Sequence, residues 1–132
     1  MANILLAVTG SISAYKAADI TSQLTKLGHQ VKVLMTPAAT AFITPLTLQV
    51  LSKNPVGLDV VIEEDPQRIE HIDIGKETDL FLVAPASANT IAKLAMGLAD
   101  NMVTSTALAL PQGTKKLLAP AMNTKMLEHP AT

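Results

Sequence analysis

The run Leu80-Phe81-Leu82-Val83 constrains the fold more than any other stretch. It is too short for a helix and lacks the polar alternation of a half-exposed strand, so it reads as a strand covered on both faces; such strands belong to parallel sheets. Pro85 has no N–H to offer a ladder and biases Ala84 towards extended backbone, so the strand is expected to end there. Ala86-Ser87-Ala88-Asn89-Thr90 follows, each residue small or carrying a hydroxyl or an amide, and leads into a helical pattern of Ile91, Leu94, Ala95 and Leu98. Hydroxyls and unpaired backbone donors therefore meet at a helix N-terminus, where the helix dipole also favours an anion. A plainer reading of the same residues is that Ser87 or Asn89 only caps the helix.

A second strand-to-helix turn lies near the N-terminus. Ile4-Leu5-Leu6-Ala7-Val8 is another buried-strand run, followed by Thr9-Gly10-Ser11-Ile12-Ser13 and a helical pattern from Ala14 to Leu27, with Ala17, Ile20, Leu24 and Leu27 on one face and Gly28 placed to end it. Val31 to Met35 is the next strand, which completes a βαβ unit. The turn carries one glycine where the dinucleotide fingerprint needs three, and the second strand ends in Met35-Thr36-Pro37 rather than an acidic residue. This argues against NAD and leaves room for a mononucleotide with its phosphate on Gly10, Ser11 and Ser13.

Further along, residues 37–52 read as two helical pieces broken at Pro45, anchored by Phe42, Leu46, Leu48 and Leu51, with Phe42 assigned to the core. Lys53 to Gln67 reads as a solvent loop holding one short strand, Val60-Val61-Ile62. His71 then reads as a surface histidine at the start of a short helix. Gly97 can end one helix and Asp100 or Asn101 can cap the next, Met102 to Leu110. Leu117-Leu118-Ala119 is a further strand ending at Pro120, and Asn123 can cap a short helix.

Composition narrows the function. At 132 residues the chain supports one domain, and with 48% hydrophobic but only 2% aromatic residues its core must be aliphatic. A net charge of −1, with Lys115-Lys116 the only adjacent basic pair, gives no stripe for a nucleic-acid backbone. The longest apolar runs fall far short of a membrane span and no positive flank marks a signal peptide, so a soluble cytoplasmic protein is expected. The absence of cysteine removes disulfides, thiolate zinc sites and a thiol nucleophile, and the three histidines fall in no metal-binding spacing, so no metal is expected.

Three segments in order and spacing carry a family resemblance: Thr9-Gly10-Ser11-Ile12-Ser13-Ala14-Tyr15-Lys16, Pro85-Ala86-Ser87-Ala88-Asn89-Thr90, and Pro120-Ala121-Met122-Asn123-Thr124-Lys125-Met126. Together they resemble the homo-oligomeric flavin-containing cysteine decarboxylases, whose PASANT and PxMNxxM motifs the last two match; Gly97-Leu98-Ala99-Asp100-Asn101 fits the segment after the first of these. The resemblance covers essentially the whole chain. It implies a three-layer α/β fold, a Rossmann-like (flavodoxin-like) parallel sheet with helices on both faces. Residues 1–132 would form a single FMN-binding domain, held in a trimer or an assembly of trimers with FMN between subunits. By the same resemblance Gly10, Ser11, Ile12, Thr36 and Ala38 line the flavin, Ser87, Ala88, Asn89 and Thr90 bind its phosphate and ribityl side, and Ala121 approaches the ring. His71 matches the catalytic histidine, while Asn123, with Met122 beside it, matches the residue holding the substrate carboxylate.

The implied activity is decarboxylation of phosphopantothenoylcysteine to phosphopantetheine in coenzyme A biosynthesis. A cysteine carboxylate loses carbon dioxide with difficulty because the carbanion has no electron sink; oxidation of the thiol-bearing carbon by FMN to a thioaldehyde makes sulfur that sink. Histidine can take the proton and the Asn123 amide can orient the carboxylate. Relatives then return the enethiolate to the thiol with the reduced flavin, assisted by a cysteine on a C-terminal flap that this chain is expected to lack; the expectation is that a longer protein supplies it, the alternative being a chain that performs only the oxidative half. Two other readings stand beside this one: oxidative decarboxylation of a peptidyl cysteine, as in lantibiotic modification, and a non-catalytic flavin-binding regulatory subunit. A flavin prenyltransferase fits less well, because its N-terminal loop differs from Thr9 to Lys16.

Overall fold

Strand β1, Asn3–Val8, sorts its side chains to two opposite layers, as an extended backbone must. Leu6 and Val8 enter one core cluster while Leu5 and Ala7 enter the other. The computed structural model describes residues 1–58 and 76–131. Within them β1 pairs in parallel with β2, Gln30–Met35, on one side and with β4, Leu80–Ala86, on the other. The two-residue β3, Val56–Gly57, joins the outer edge of β2, and β5, Lys115–Pro120, joins β4. The order β3-β2-β1-β4-β5 is a doubly wound parallel sheet, the architecture expected from the sequence.

Helix α1, Lys16–Lys26, and helix α2, Pro45–Ser52, belong to the layer that meets Leu6, Val8, Val31, Val33 and Met35. Helix α3, Ala88–Met96, and helix α4, Met102–Ala109, cover Leu5, Ala7, Leu34, Phe81 and Val83. A short helix α5, Thr124–Glu128, follows β5. The ends obey local chemistry: Ser87 and Asn101 accept from backbone N–H groups at the starts of α3 and α4, Pro45 stands at the first turn of α2 behind Thr44, and Gly97 takes the left-handed conformation that ends α3.

Several expectations are corrected. The helix expected from Ala14 begins instead as a 3-10 turn, Ile12–Tyr15, because the Ser11 side chain accepts from Ser13 N and tightens the entry. Leu27 is not on the apolar face; it caps α1 where the chain swings out to Gly28, and it is exposed. Of the anchors in α2, Leu48 is buried but Leu46 faces solvent, since residues two apart point to different sides of a helix. Phe42 is 47% exposed rather than core. The stretch after Lys53 is not loop alone, for Val56 and Gly57 pair with Val33 and Leu34; the expected strand at Val60 to Ile62 lies outside the described residues. A Cβ on Gly57 would run into the Leu34 side chain, which explains a glycine in a strand.

The expected end of β4 at Ala84 is also corrected, because the strand runs through a cis Ala84–Pro85 peptide to Ala86. Pro85 falls at the register shift between Val83 and Ala86, so its missing N–H costs no ladder bond there, and its carbonyl is used sideways. Thr9, fully buried at the end of β1, donates its hydroxyl to Pro85 O at 2.6 Å and accepts from Ser87 N at 2.8 Å, while Thr9 N reaches Pro85 O at 3.3 Å. One hydroxyl thus joins the carboxyl ends of the two central strands.

The strand β5 behaves differently from its neighbours: every residue from Lys115 to Pro120 is exposed, including Leu117 and Leu118. It is the sheet's edge among the described residues.

Replacing Thr9 with valine keeps the shape but strands the Ser87 N–H and weakens the hold on Pro85 O. Thr9→Val should lower unfolding free energy by about 1–3 kcal/mol, read as a shift of the urea midpoint. An unchanged midpoint would show that the bridge contributes nothing.

Candidate functional site

In an open doubly wound sheet, crossovers leave in opposite directions from the central pair, so the loops after those strands diverge and leave a crevice at their carboxyl ends. Here that pair is β1 and β4. The loops bordering the crevice are held to one another by hydrogen bonds and close contact. Thr9 ties the first loop to Pro85 and Ser87, Thr36 N donates to Val8 O at 3.0 Å, and Ala121 N donates to Ala86 O at 3.0 Å. Gly10 lies so close to the third residue of the loop after β2 that an added Cβ would stand 2.6 Å from the Ala38 Cβ. Glycine is needed there for approach.

The crevice opens into a cavity of about 1150 Å³, slightly above the roughly 300–1,000 Å³ usual for ligand and cofactor sites. Gly10, Ser11 and Ile12 form one wall; Thr36 and Ala38 continue it; Ser87, Ala88, Asn89 and Thr90 face them from the start of α3; Ala121, Met122 and Asn123 close the third side. Every site residue expected from the sequence lines this one cavity except His71, which lies outside the described residues.

Donor accounting at α3 gives the site its character. Ser87 Oγ accepts from Thr90 N at 3.2 Å and donates to Thr90 Oγ1 at 3.1 Å, so the plain reading of Ser87 as a cap is correct. The Ser87 N–H is taken by Thr9. The N–H groups of Ala88 and Asn89, in the first helical turn, have no intrahelical acceptor and stand at the positive end of the dipole, on the cavity. Capping and anion binding are therefore not rivals at this turn. Asn123 is likewise a cap: its Oδ1 accepts from Met126 N at 2.9 Å at the start of α5. With one lone pair of the oxygen engaged by the cap, both Nδ2 donors remain for a ligand.

Sequence reasoning missed part of the wall. Phe42 and Met126 supply apolar surface, and Lys93, Asp100 and Asn101 line the end nearest α3. Asn101 was expected as a cap and is one, in a capping box with Thr104. Lys93 Nζ meets Asp100 Oδ2 at 2.8 Å, and this lysine holds the Asp100 carboxyl below the ordinary carboxylate range, chiefly through that hydrogen bond. The spacing of Lys93 one turn beyond Thr90 was the available signal. The cavity therefore presents backbone and amide donors at one end, small residues along its side and apolar contacts opposite. Such a wall suits a flat ring system carrying an anionic tail.

Comparison with known proteins agrees with that character. A probable phosphopantothenoylcysteine decarboxylase of Streptococcus mutans is 68% identical over 129 residues, covering 98% of this chain and 72% of that one. The coenzyme A biosynthesis bifunctional protein CoaBC of Bacillus subtilis is 49% identical over 129 residues, and the chain spans 31% of its length and 98% of its own. The solved structure of the FMN-dependent cysteine decarboxylase TvaF from thioviridamide biosynthesis superposes with a TM-score of 0.90 at 32% identity, covering 99% of this chain and 80% of that one. The Flavoprotein family matches residues 1–132 from end to end, and the chain belongs to that family.

Proposed function

We propose that this chain binds FMN and acts in the decarboxylation of phosphopantothenoylcysteine to phosphopantetheine, a step of coenzyme A biosynthesis in the cytoplasm, with these 132 residues carrying its oxidative half. The observation that carries the reading is the convergence of three separated segments, at Gly10, at Ser87 and at Asn123, on one cavity at the switch point of a sheet whose relatives include phosphopantothenoylcysteine and cysteine decarboxylases. The residues fit the cofactor. The free N–H groups of Ala88 and Asn89 suit its phosphate, the close approach of Gly10 to Ala38 leaves a thin wall for its ring system, and the volume is sufficient.

In this reading Gly10, Ser11, Ile12, Thr36 and Ala38 border the flavin, Ser87 to Thr90 hold its phosphate and ribityl side, and Ala121 approaches the ring. Met122 and Asn123 receive the substrate, whose carboxylate takes hydrogen bonds from Asn123 Nδ2. His71 is the base that removes the proton. When bound, FMN supplies the two-electron oxidation of the thiol-bearing carbon that turns sulfur into an electron sink for decarboxylation. Asn123 orients the carboxylate without neutralising it, so the group leaves as carbon dioxide from an ionised state. We also propose that residues 1–132 are one flavin-binding domain and that the active assembly is a homo-oligomer, a trimer or a set of trimers. Support comes from Ile12, 79% exposed although it lines the cavity, and from Phe42 beside it, surfaces that a second copy would cover.

His71→Asn should leave flavin absorbance bound to the protein and abolish turnover; unchanged turnover would remove the histidine from the mechanism. Asn123→Asp retains an N-cap, so α5 should persist, yet it sets a negative charge against the substrate carboxylate. Activity should fall by about a hundredfold or more, measured as carbon dioxide release, and retained activity would place the carboxylate elsewhere. These 132 residues contain no cysteine to assist the reduced flavin in returning its two electrons to the product. Anaerobic incubation of the FMN-loaded chain with phosphopantothenoylcysteine should therefore give a product lighter by carbon dioxide and two hydrogens. A product lighter by carbon dioxide alone would mean that re-reduction needs no cysteine, and turnover only of peptides ending in cysteine would favour the peptidyl reading.

A further inference from the structure

The described residues lining the cavity include two charged side chains, Lys93 and Asp100, and these are paired with each other. Among the described residues, a site for a phosphate monoester would thus hold no free positive charge while it is empty. The geometry of the pair is lopsided: the Lys93 side chain is largely covered, at 22% exposure, whereas that of Asp100 is 59% exposed. Lys93 lines the cavity from α3, one turn beyond Asn89, and helical side chains lean towards the N-terminus, so on leaving Asp100 its ammonium can reach back towards the turn where the Ala88 and Asn89 N–H groups open on the cavity. The rise from Asn89 to Lys93 is about 6 Å, within the reach of a lysine side chain.

Asp100 can release that lysine cheaply. Its backbone N–H is held by Thr104 Oγ1 at 3.1 Å, its carboxylate stands just before α4, where the dipole favours negative charge, and water reaches it. An ion pair this exposed contributes little, whereas a dianion on two backbone donors gains a full charge-assisted contact. We propose that Lys93 is the phosphate-recognising cation of the cavity, exchanging Asp100 for the phosphate of the bound flavin and so making the site select FMN over riboflavin. The inference rests on the FMN reading above.

The test is titration of the flavin-freed protein with FMN and with riboflavin, following fluorescence quenching. Lys93→Met should weaken FMN binding about tenfold, the size of one charge-assisted contact, and leave riboflavin binding unchanged. Asp100→Asn removes the competitor and the opposing charge, and should tighten FMN by a few-fold without changing riboflavin. Equal losses for both flavins would show that Lys93 only supports the fold, and no loss for either would show that it does not meet the phosphate; each overturns the inference while leaving FMN binding standing. If the FMN-loaded Lys93→Met protein instead loses preference for the phosphorylated over the dephosphorylated substrate, the lysine serves the substrate and the inference fails. A parent protein that binds neither flavin would sink the FMN reading itself, and this inference with it.

Discussion

The hydroxyl of Thr9 occupies the point on which the site depends. It is fully buried, gives its proton to Pro85 O and receives the Ser87 N–H. Both of the bonds join segments separated by more than 70 residues, at the carboxyl ends of two strands that pair through a backbone ladder. Strand pairing alone sets the two central strands parallel, but it does not set the rotation of the loops leaving them. The threonine does. By consuming the Ser87 N–H it also fixes which donors at the start of α3 are left for a ligand, so a contact in the core determines the chemistry of the surface.

Around that point the architecture accounts for the choice of small residues. Four loops reach the carboxyl end of the sheet, and a flat ligand can lie among them only if they approach closely without filling the space. Gly10 against Ala38 is one such close approach, and Ala88 and Ala121 are small residues along the other walls. The bulky aliphatic residues stay behind, in the two layers at Leu6, Leu48, Phe81 and Val103. Rigidity comes from that core, and the shape of the cleft comes from what the loops omit.

Much of this is legible in the residues themselves. The unbroken apolar runs at Ile4 and Leu80 identify a parallel sheet, because only strands covered on both faces can dispense with polar alternation, and the turns after them locate the crevice. Ser87, Asn101 and Asn123 are recognisable as caps since capping is local chemistry. What escapes is what depends on distant partners. Pro85 looks like a strand end until its partner strand slips register, Phe42 looks like core until the cavity beside it is known, and β3 is two residues whose only signal is the company of β2. The Lys93–Asp100 pair joins two helices' ends seven residues apart, and no periodicity predicts which charges meet around a turn.

The exposed strand β5 has a consequence for what can pair with the sheet formed by the described residues. An open edge bearing Leu117 and Leu118 is a template on which another extended segment could add, and parallel sheets seldom leave such an edge bare. Lys115 and Lys116 stand at its beginning, both exposed, so a segment adding to this edge would meet two ammonium groups at that end. Their effect is electrostatic, hence strongest in dilute buffer and screened within about 10 Å at 0.1 M salt. The same two lysines that are too few to hold a nucleic acid thus set a charge condition on whatever extended segment pairs with this edge.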